Sequence, residues 1–276
     1  ARAAGVVPKV KPTQSSSEYW HRSASLVHTD TAGTKDVALP PEVRIYTFGG
    51  SQHGPGDGMP RPRSRGQLPP NPTNFRPLLR ALVKAMDAWV RKGIEPPPSV
   101  YPTLSSGSLV AWEAARSGWR PLPGISYPGV IQQPALLERG PEFIRNRRAS
   151  IEPPGVGGAY RVLIPAFGAD NNERGCLMMP AVAVPVASLT GWNLRHESIG
   201  APGELLSLQG SYIPFLRDGD TRTAAKDPRL SLLERYRGFE FYLDKYLAWG
   251  RKLVRERYLL EEDLPGVDRG AWHLSL

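Results

Sequence analysis

The sequence predicts an α/β fold: the last strands and helices of a mostly parallel sheet, then a long Pro/Gly-rich wrap and C-terminal helices. Three observations carry this. Val43-Arg44-Ile45-Tyr46-Thr47-Phe48 alternates, is rich in β-branched and aromatic side chains, and stops abruptly at Gly49-Gly50. Residues 6–11 form a second short run of strand character, leading into the polar turn Thr13-Gln14-Ser15-Ser16-Ser17-Glu18. Phe75, Leu78, Leu79, Leu82, Val83, Met86, Trp89 and Val90 then recur at helical spacing, with Asn74 placed to cap the helix and Gly93 to end it. Two strands do not make an independently stable parallel sheet, because both faces and both edges need cover.

Each strand runs into a turn with chemistry in it. Gly49-Gly50-Ser51-Gln52-His53-Gly54-Pro55-Gly56 presents His53 from a loop, placed to move protons; the alternative is a histidine in a tight turn. Glu18 has two readings of equal weight. It fits the carboxylate that orients a catalytic imidazole. It also completes the capping box Ser15-Ser16-Ser17-Glu18, reaching back to the Ser15 N–H. Asp30, Asp36 and Asp57 are weaker substitutes for the acid: Asp36 and Asp57 lie in turn-like surroundings, and Asp30 ends His28-Thr29-Asp30.

The same residues carry a family resemblance. Ser17-Glu18-Tyr19-Trp20, Ala24-Ser25-Leu26-Val27-His28-Thr29-Asp30, Gln52-His53-Gly54-Pro55-Gly56 and Pro69-Pro70-Asn71-Pro72 resemble a bacterial family of α/β-hydrolase domain-containing proteins. Pro180-Ala181-Val182-Ala183-Val184-Pro185, Thr190-Gly191-Trp192-Asn193-Leu194-Arg195 and Gly210-Ser211-Tyr212-Ile213-Pro214-Phe215 resemble its C-terminal region. That resemblance implies serine carboxylesterases, with Glu18 as the acid and His53 as the base, in the triad order Ser, Asp/Glu, His. The departure is the nucleophile. No Gly-x-Ser-x-Gly elbow occurs: Gly49-Gly50-Ser51, Gly107-Ser108 and Gly124-Ile125-Ser126-Tyr127-Pro128 all fail the pattern. Ala1-Arg2-Ala3-Ala4-Gly5 reads as the end of a helix. The expectation is therefore the C-terminal portion of a hydrolase, completed by an N-terminal portion or partner chain that carries the serine and acting on a small-molecule ester.

Three regions are expected: 1–93 with the acid and histidine, 94–227 as an irregular wrap or cap with a β-hairpin, and 228–276 as helices. Residues 94–158 are rich in Pro and Gly, while Trp112, Trp119, Tyr127, Ile131 and Phe143 argue for ordering against a partner surface. Residues 160–164 read as a strand, pairing with 176–179 across the loop Asp170-Asn171-Asn172-Glu173-Arg174-Gly175. That loop lacks the oxygen ligands of a calcium loop at Arg174 and Ala181 and reads as a polar hairpin loop. Residues 180–194 are apolar but broken by proline, a buried irregular segment or an edge strand. Within them, Trp192 and Asn193 are candidates for a substrate pocket, the alternative being core packing. Asp227-Pro228 opens a short helix through Tyr236, and Leu243, Tyr246, Leu247, Leu253, Val254 and Tyr258 mark a longer one.

The net charge of +9 raises the question of nucleic acid. Arg61, Arg63 and Arg65, and Arg145, Arg147 and Arg148, form two small clusters without interleaved aromatics, so no nucleic-acid partner is expected. The single Cys176 excludes an internal disulfide without fixing a compartment. No stretch is long and apolar enough to cross a membrane, and no cofactor or metal set is recognisable: His21 and His28 lack completing ligands. The alternative from another class is a non-catalytic binding or assembly subunit that kept the fold without the nucleophile.

Overall fold

In the computed structural model, residues 6–273 are described; the helix end read at 1–5 lies outside them. The organising element is a parallel pair. β1 (Thr13–Ser15) and β2 (Tyr46–Phe48) align Thr13 with Tyr46, Gln14 with Thr47 and Ser15 with Phe48. The first strand begins later than residues 6–11, where Val10 makes an isolated parallel bridge to Val43. Pro8 and Pro12 explain this, because proline has no N–H to give to a ladder. The far side of β2 is covered by later chain: the Thr47 N–H donates to Val100 O, and the Leu177 N–H donates to Thr47 O, each at 2.8 Å.

α1 (Ser16–His21) leaves β1 without a linker. α2 (Arg76–Lys92) starts where the Asn74 side chain accepts the Arg76 N–H at 3.2 Å, and it stops at Gly93, whose φ is 68°. Leu78, Ala81, Leu82 and Trp89 are its buried face, but Val83 and Val90 are 63 % and 60 % exposed. Each follows a buried residue by one position, a rotation of about 100° off the stripe.

The wrap contains β3 (Leu109–Ala111), α3 (Trp112–Gly118), β4 (Ala135–Glu138), α4 (Phe143–Asn146), β5 (Gly155–Ala159) and β6 (Leu163–Pro165). β4 and β5 pair as an exposed antiparallel hairpin. β6 pairs antiparallel with β3, not with residues 176–179, which corrects the hairpin expected there. Leu177 instead extends the sheet beyond Phe48, because an apolar stretch gains more from the parallel core than from an exposed hairpin. Trp119 and Tyr127 pack within this chain, with ring centroids 5.4 and 5.8 Å from Trp192.

Residues 180–194 form α5 (Pro180–Ala183) and β7 (Ala187–Leu189), which pairs antiparallel with β8 (Tyr212–Pro214). α6 (Gly219–Ala224), α7 (Leu232–Tyr236), α8 (Phe239–Arg255) and α9 (Leu264–Arg269) follow. α7 opens at a Ser231 cap, not at Asp227, whose carboxylate is bound to the buried Arg229. One apolar core joins β2, α2, α5, α8 and α9 around Phe48, Leu78, Leu82, Tyr242 and Tyr246. A second gathers Tyr19, Trp20, Leu163, Ile164 and Trp192 around α1 and the β3–β6 pair.

Candidate active site

Glu18 and His53, the acid and base expected from the sequence, meet where β1 and β2 end. Ser15 closes β1 and caps α1, so Glu18 falls in the first helical turn. Glu18 Oε1 bonds His53 Nδ1, while Glu18 Oε2 accepts the Ser15 N–H at 2.5 Å and also the Ser15 hydroxyl. The two readings of Glu18 are thus compatible, because a carboxylate has an oxygen for each. With Nδ1–H given to Glu18, the lone pair of Nε2 stays available as a base. Nε2 makes no hydrogen bond among the described residues, and the His53 side chain is 59 % exposed.

The turn that delivers His53 is tightly braced. Gly50 has φ 57°, and a Cβ there would lie 2.7 Å from a Val182 methyl carbon. Its carbonyl accepts from Asn71 Nδ2 at 3.0 Å and Thr73 Oγ1 at 2.7 Å. Ser51 is wholly buried and donates to Phe48 O at 2.6 Å, so it is committed to the turn. Further on, the His53 N–H reaches Leu208 O at 3.3 Å.

Below these loops lies a polar group that the sequence did not single out. Glu173 is 2 % exposed and accepts the hydroxyl of Ser16, the residue that opens α1. Burial pushes its carboxyl up to about 7, and hydrogen bonds from Ser16 and the Gly50 backbone only partly oppose this. Its loop is held by side-chain hydrogen bonds to backbone. Asn172 bonds Ala187 O at 3.0 Å and the Leu189 N–H at 2.8 Å, and Asn171 bonds both backbone groups of Arg120 at 2.9 Å. His21 is also buried, and desolvation, helped by Arg22, pulls it down to about 4. His28, held by the Tyr19 hydroxyl at 2.9 Å, is likewise lowered to about 4 by burial.

The other acid candidates are occupied elsewhere. Asp30 holds the Thr34 N–H at 2.7 Å, Asp36 holds the Leu104 and Ser105 N–H groups at 2.9 and 2.8 Å, and Asp57 pairs with Arg61. Trp192 and Asn193 are both fully buried. Trp192 packs on Trp20, Trp119 and Tyr127, and Asn193 bonds Leu68 O at 2.9 Å and the Leu68 N–H at 3.3 Å. Their surroundings are those of core residues, the alternative left open from the sequence.

Space for a small molecule lies next to the His53 loop. A cavity of about 610 Å³ is walled by Asp57 and Gly58, by Thr73 before α2, and by Met179, Leu189 and Val267. The same loop is stitched to the segment before α2 by the Gly56 N–H on Thr73 O and the Gly58 N–H on Pro72 O, each at 2.9 Å.

A family model described as an alpha/beta hydrolase domain matches residues 2–267. The chain belongs to the α/β-hydrolase domain family. No curated protein and no solved structure matches this α/β-hydrolase chain. In an α/β hydrolase the triad members sit on loops after strands. In this one, Glu18 and His53 follow two adjacent parallel strands.

Proposed function

We propose that this chain supplies the acid and base of a serine carboxylesterase whose nucleophile lies on a complementary, N-terminal portion of the hydrolase fold. The observation that carries this is the bond between Glu18 Oε1 and His53 Nδ1 at the ends of adjacent parallel strands. The resemblance to a bacterial serine-esterase family supports the same reading. So does the sheet itself: among the described residues, nothing pairs with the outer edge of β1, and parallel strands are ordinarily covered on both edges.

In this mechanism the serine hydroxyl attacks the ester carbonyl while His53 Nε2 takes its proton. The tetrahedral intermediate collapses, and His53 returns that proton to the leaving alcohol. Water then adds to the acyl-enzyme, with His53 as base, releasing the acid and restoring the serine. Glu18 keeps Nδ1 protonated and stabilises the imidazolium. The cavity beside Asp57 and Gly58 takes part of the ester, its size falling in the range of about 300–1,000 Å³ usual for small-molecule sites.

Fluorophosphonate labelling with intact-mass readout on every co-purifying chain tests the reading. A labelled serine that disappears in His53→Ala supports it. If no chain labels, the second reading takes over: a non-catalytic assembly subunit, which the missing elbow already favours.

A further inference from the structure

Ser16 and Ser51 lie two residues before Glu18 and His53, respectively, and both are fully buried. The Ser51 N–H donates to Ser16 Oγ at 3.3 Å, tying the base-bearing turn to the acid-bearing helix. Ser16 Oγ itself is held by Glu173, from a third and distant part of the chain. The loop that brings Glu173 in is independently fixed: the Gly168 N–H bonds Asn172 O at 2.7 Å, and the Asn171 and Asn172 side chains are anchored as described. A rigid loop therefore presents one buried carboxyl to the hydroxyl that joins the two catalytic turns.

We infer that Glu173 is a positioning residue: through Ser16 it sets the distance between the Glu18-bearing helix and the His53-bearing turn. This rests on the proposed acid–base role of those two residues.

The hydroxyl of Ser16 has a single proton and two acceptors within reach. One is Glu173 Oε2; the other is Phe48 O, at 3.4 Å. With Glu173 ionised, Ser16 donates to the carboxylate. With Glu173 protonated, the acid proton can be donated to Ser16 Oγ, and the Ser16 proton turns to Phe48 O, the last residue of β2. In both states the Ser51 N–H keeps Ser16 Oγ as its acceptor, so no proton is lost and no donor is left over. The titratable groups that act on this carboxyl or feel it are Tyr19 on α1, Tyr127 in the wrap and Cys176 just past the loop. Burial raises all three, so they stay neutral around pH 7 and no cation competes with Ser16 for the carboxyl. The Trp20 indole N–H is near but makes no hydrogen bond of normal geometry.

The test is histidine NMR on this chain, comparing wild type with Glu173→Gln, Glu173→Ala and Ser16→Ala. The readout is the hydrogen-bonded Nδ1–H proton of His53. Glu173→Ala and Ser16→Ala should weaken the Nδ1–H signal, as expected when the hydrogen-bonded carboxylate withdraws. Glu173→Gln, whose amide oxygen still accepts from Ser16, should restore most of the wild-type signal and remove any inflection near pH 7. Folded variants with His53 signals identical to wild type would overturn the inference and leave Glu173 a purely structural group. If Glu173→Ala does not fold, Ser16→Ala, which removes one hydroxyl, carries the test. The readout does not depend on turnover. A shifted His53 with no fluorophosphonate-reactive chain would uphold the positioning role and sink the esterase reading, whereas an unshifted His53 in a labelling enzyme would do the reverse.

Discussion

Glu18 and His53 are 35 residues apart in sequence and meet through one oxygen and one ring nitrogen, while the second Glu18 oxygen caps the helix that carries it. Stability and orientation are therefore separable at this side chain. Glu18→Gln keeps an oxygen for the Ser15 N–H and should lose less than about 1 kcal/mol of stability, the scale of a helix cap. The wrong hydrogen-bond partner for His53 should slow fluorophosphonate labelling by about 10³–10⁴-fold. Melting and labelling measured on the same preparation check both halves.

Glu173 should make stability fall as pH rises. Its carboxyl is raised from 4.5 to about 7 in the fold, so between those values the folded state holds a proton the unfolded state has lost. The contribution is complete below pH 4.5 and is lost as pH rises through about 7, an effect of up to about 3 kcal/mol. Urea unfolding of Glu173→Gln and wild type at pH 5 and pH 8 should show a difference that changes by that order between the two.

The buried histidines act in the opposite sense. His21 and His28 are lowered from 6.5 to about 4, so the unfolded chain takes up protons first as pH falls. Their contribution is present above pH 6.5 and disappears toward pH 4, by up to about 3 kcal/mol each. Replacing both with asparagine should flatten the acid limb of the stability profile. A limb unchanged in the double variant would refute this.

Gly50 and Gly58 both have positive φ, 57° and 89°, but they differ in surroundings. A Cβ at Gly50 meets Val182 at 2.7 Å, whereas at Gly58 nothing lies within 4 Å. Gly58→Ala should cost about 1–2 kcal/mol from the backbone alone. Gly50→Ala should add overpacking and cost about 2–5 kcal/mol, with His53 displaced. Paired denaturation curves decide it.

The cavity predicts a length preference. Ala181 lines it and is only partly buried, so Ala181→Phe should fill space with little strain. Against a series of aryl esters in the assembled enzyme, the longest accepted chain should lose about tenfold or more in kcat/KM relative to acetate. Equal losses across the series would contradict the cavity's assignment.

Much of this site was legible because its residues lie beside strong local signals. The Gly49-Gly50 stop located the turn before His53, and the Ser15–Glu18 spacing marked the start of a helix. Glu173 was not legible. It sits among Asp170, Asn171, Asn172 and Arg174, a string that reads as solvated, and its burial depends on Ser16 arriving from 157 residues away. The pairing of β6 with β3 was hidden for a similar reason: residues 109–111 lack length or alternation, and their partner is set by packing on Trp20 and Trp192. Prolines at 8 and 12 explain the late start of β1, a boundary that apolar content alone places too early.

The outer edge of β1, unpaired among the described residues, has a directional consequence. A strand that joins it in parallel must travel the same way as β1 and β2, so its own C-terminal end arrives beside Glu18 and His53. Whatever residue follows such a strand is delivered to the imidazole by hydrogen-bond registry, before any side chain has been chosen. Docking at this edge and completing the chemistry would then be a single event, and an edge left bare would be both inactive and prone to pairing with the wrong strand.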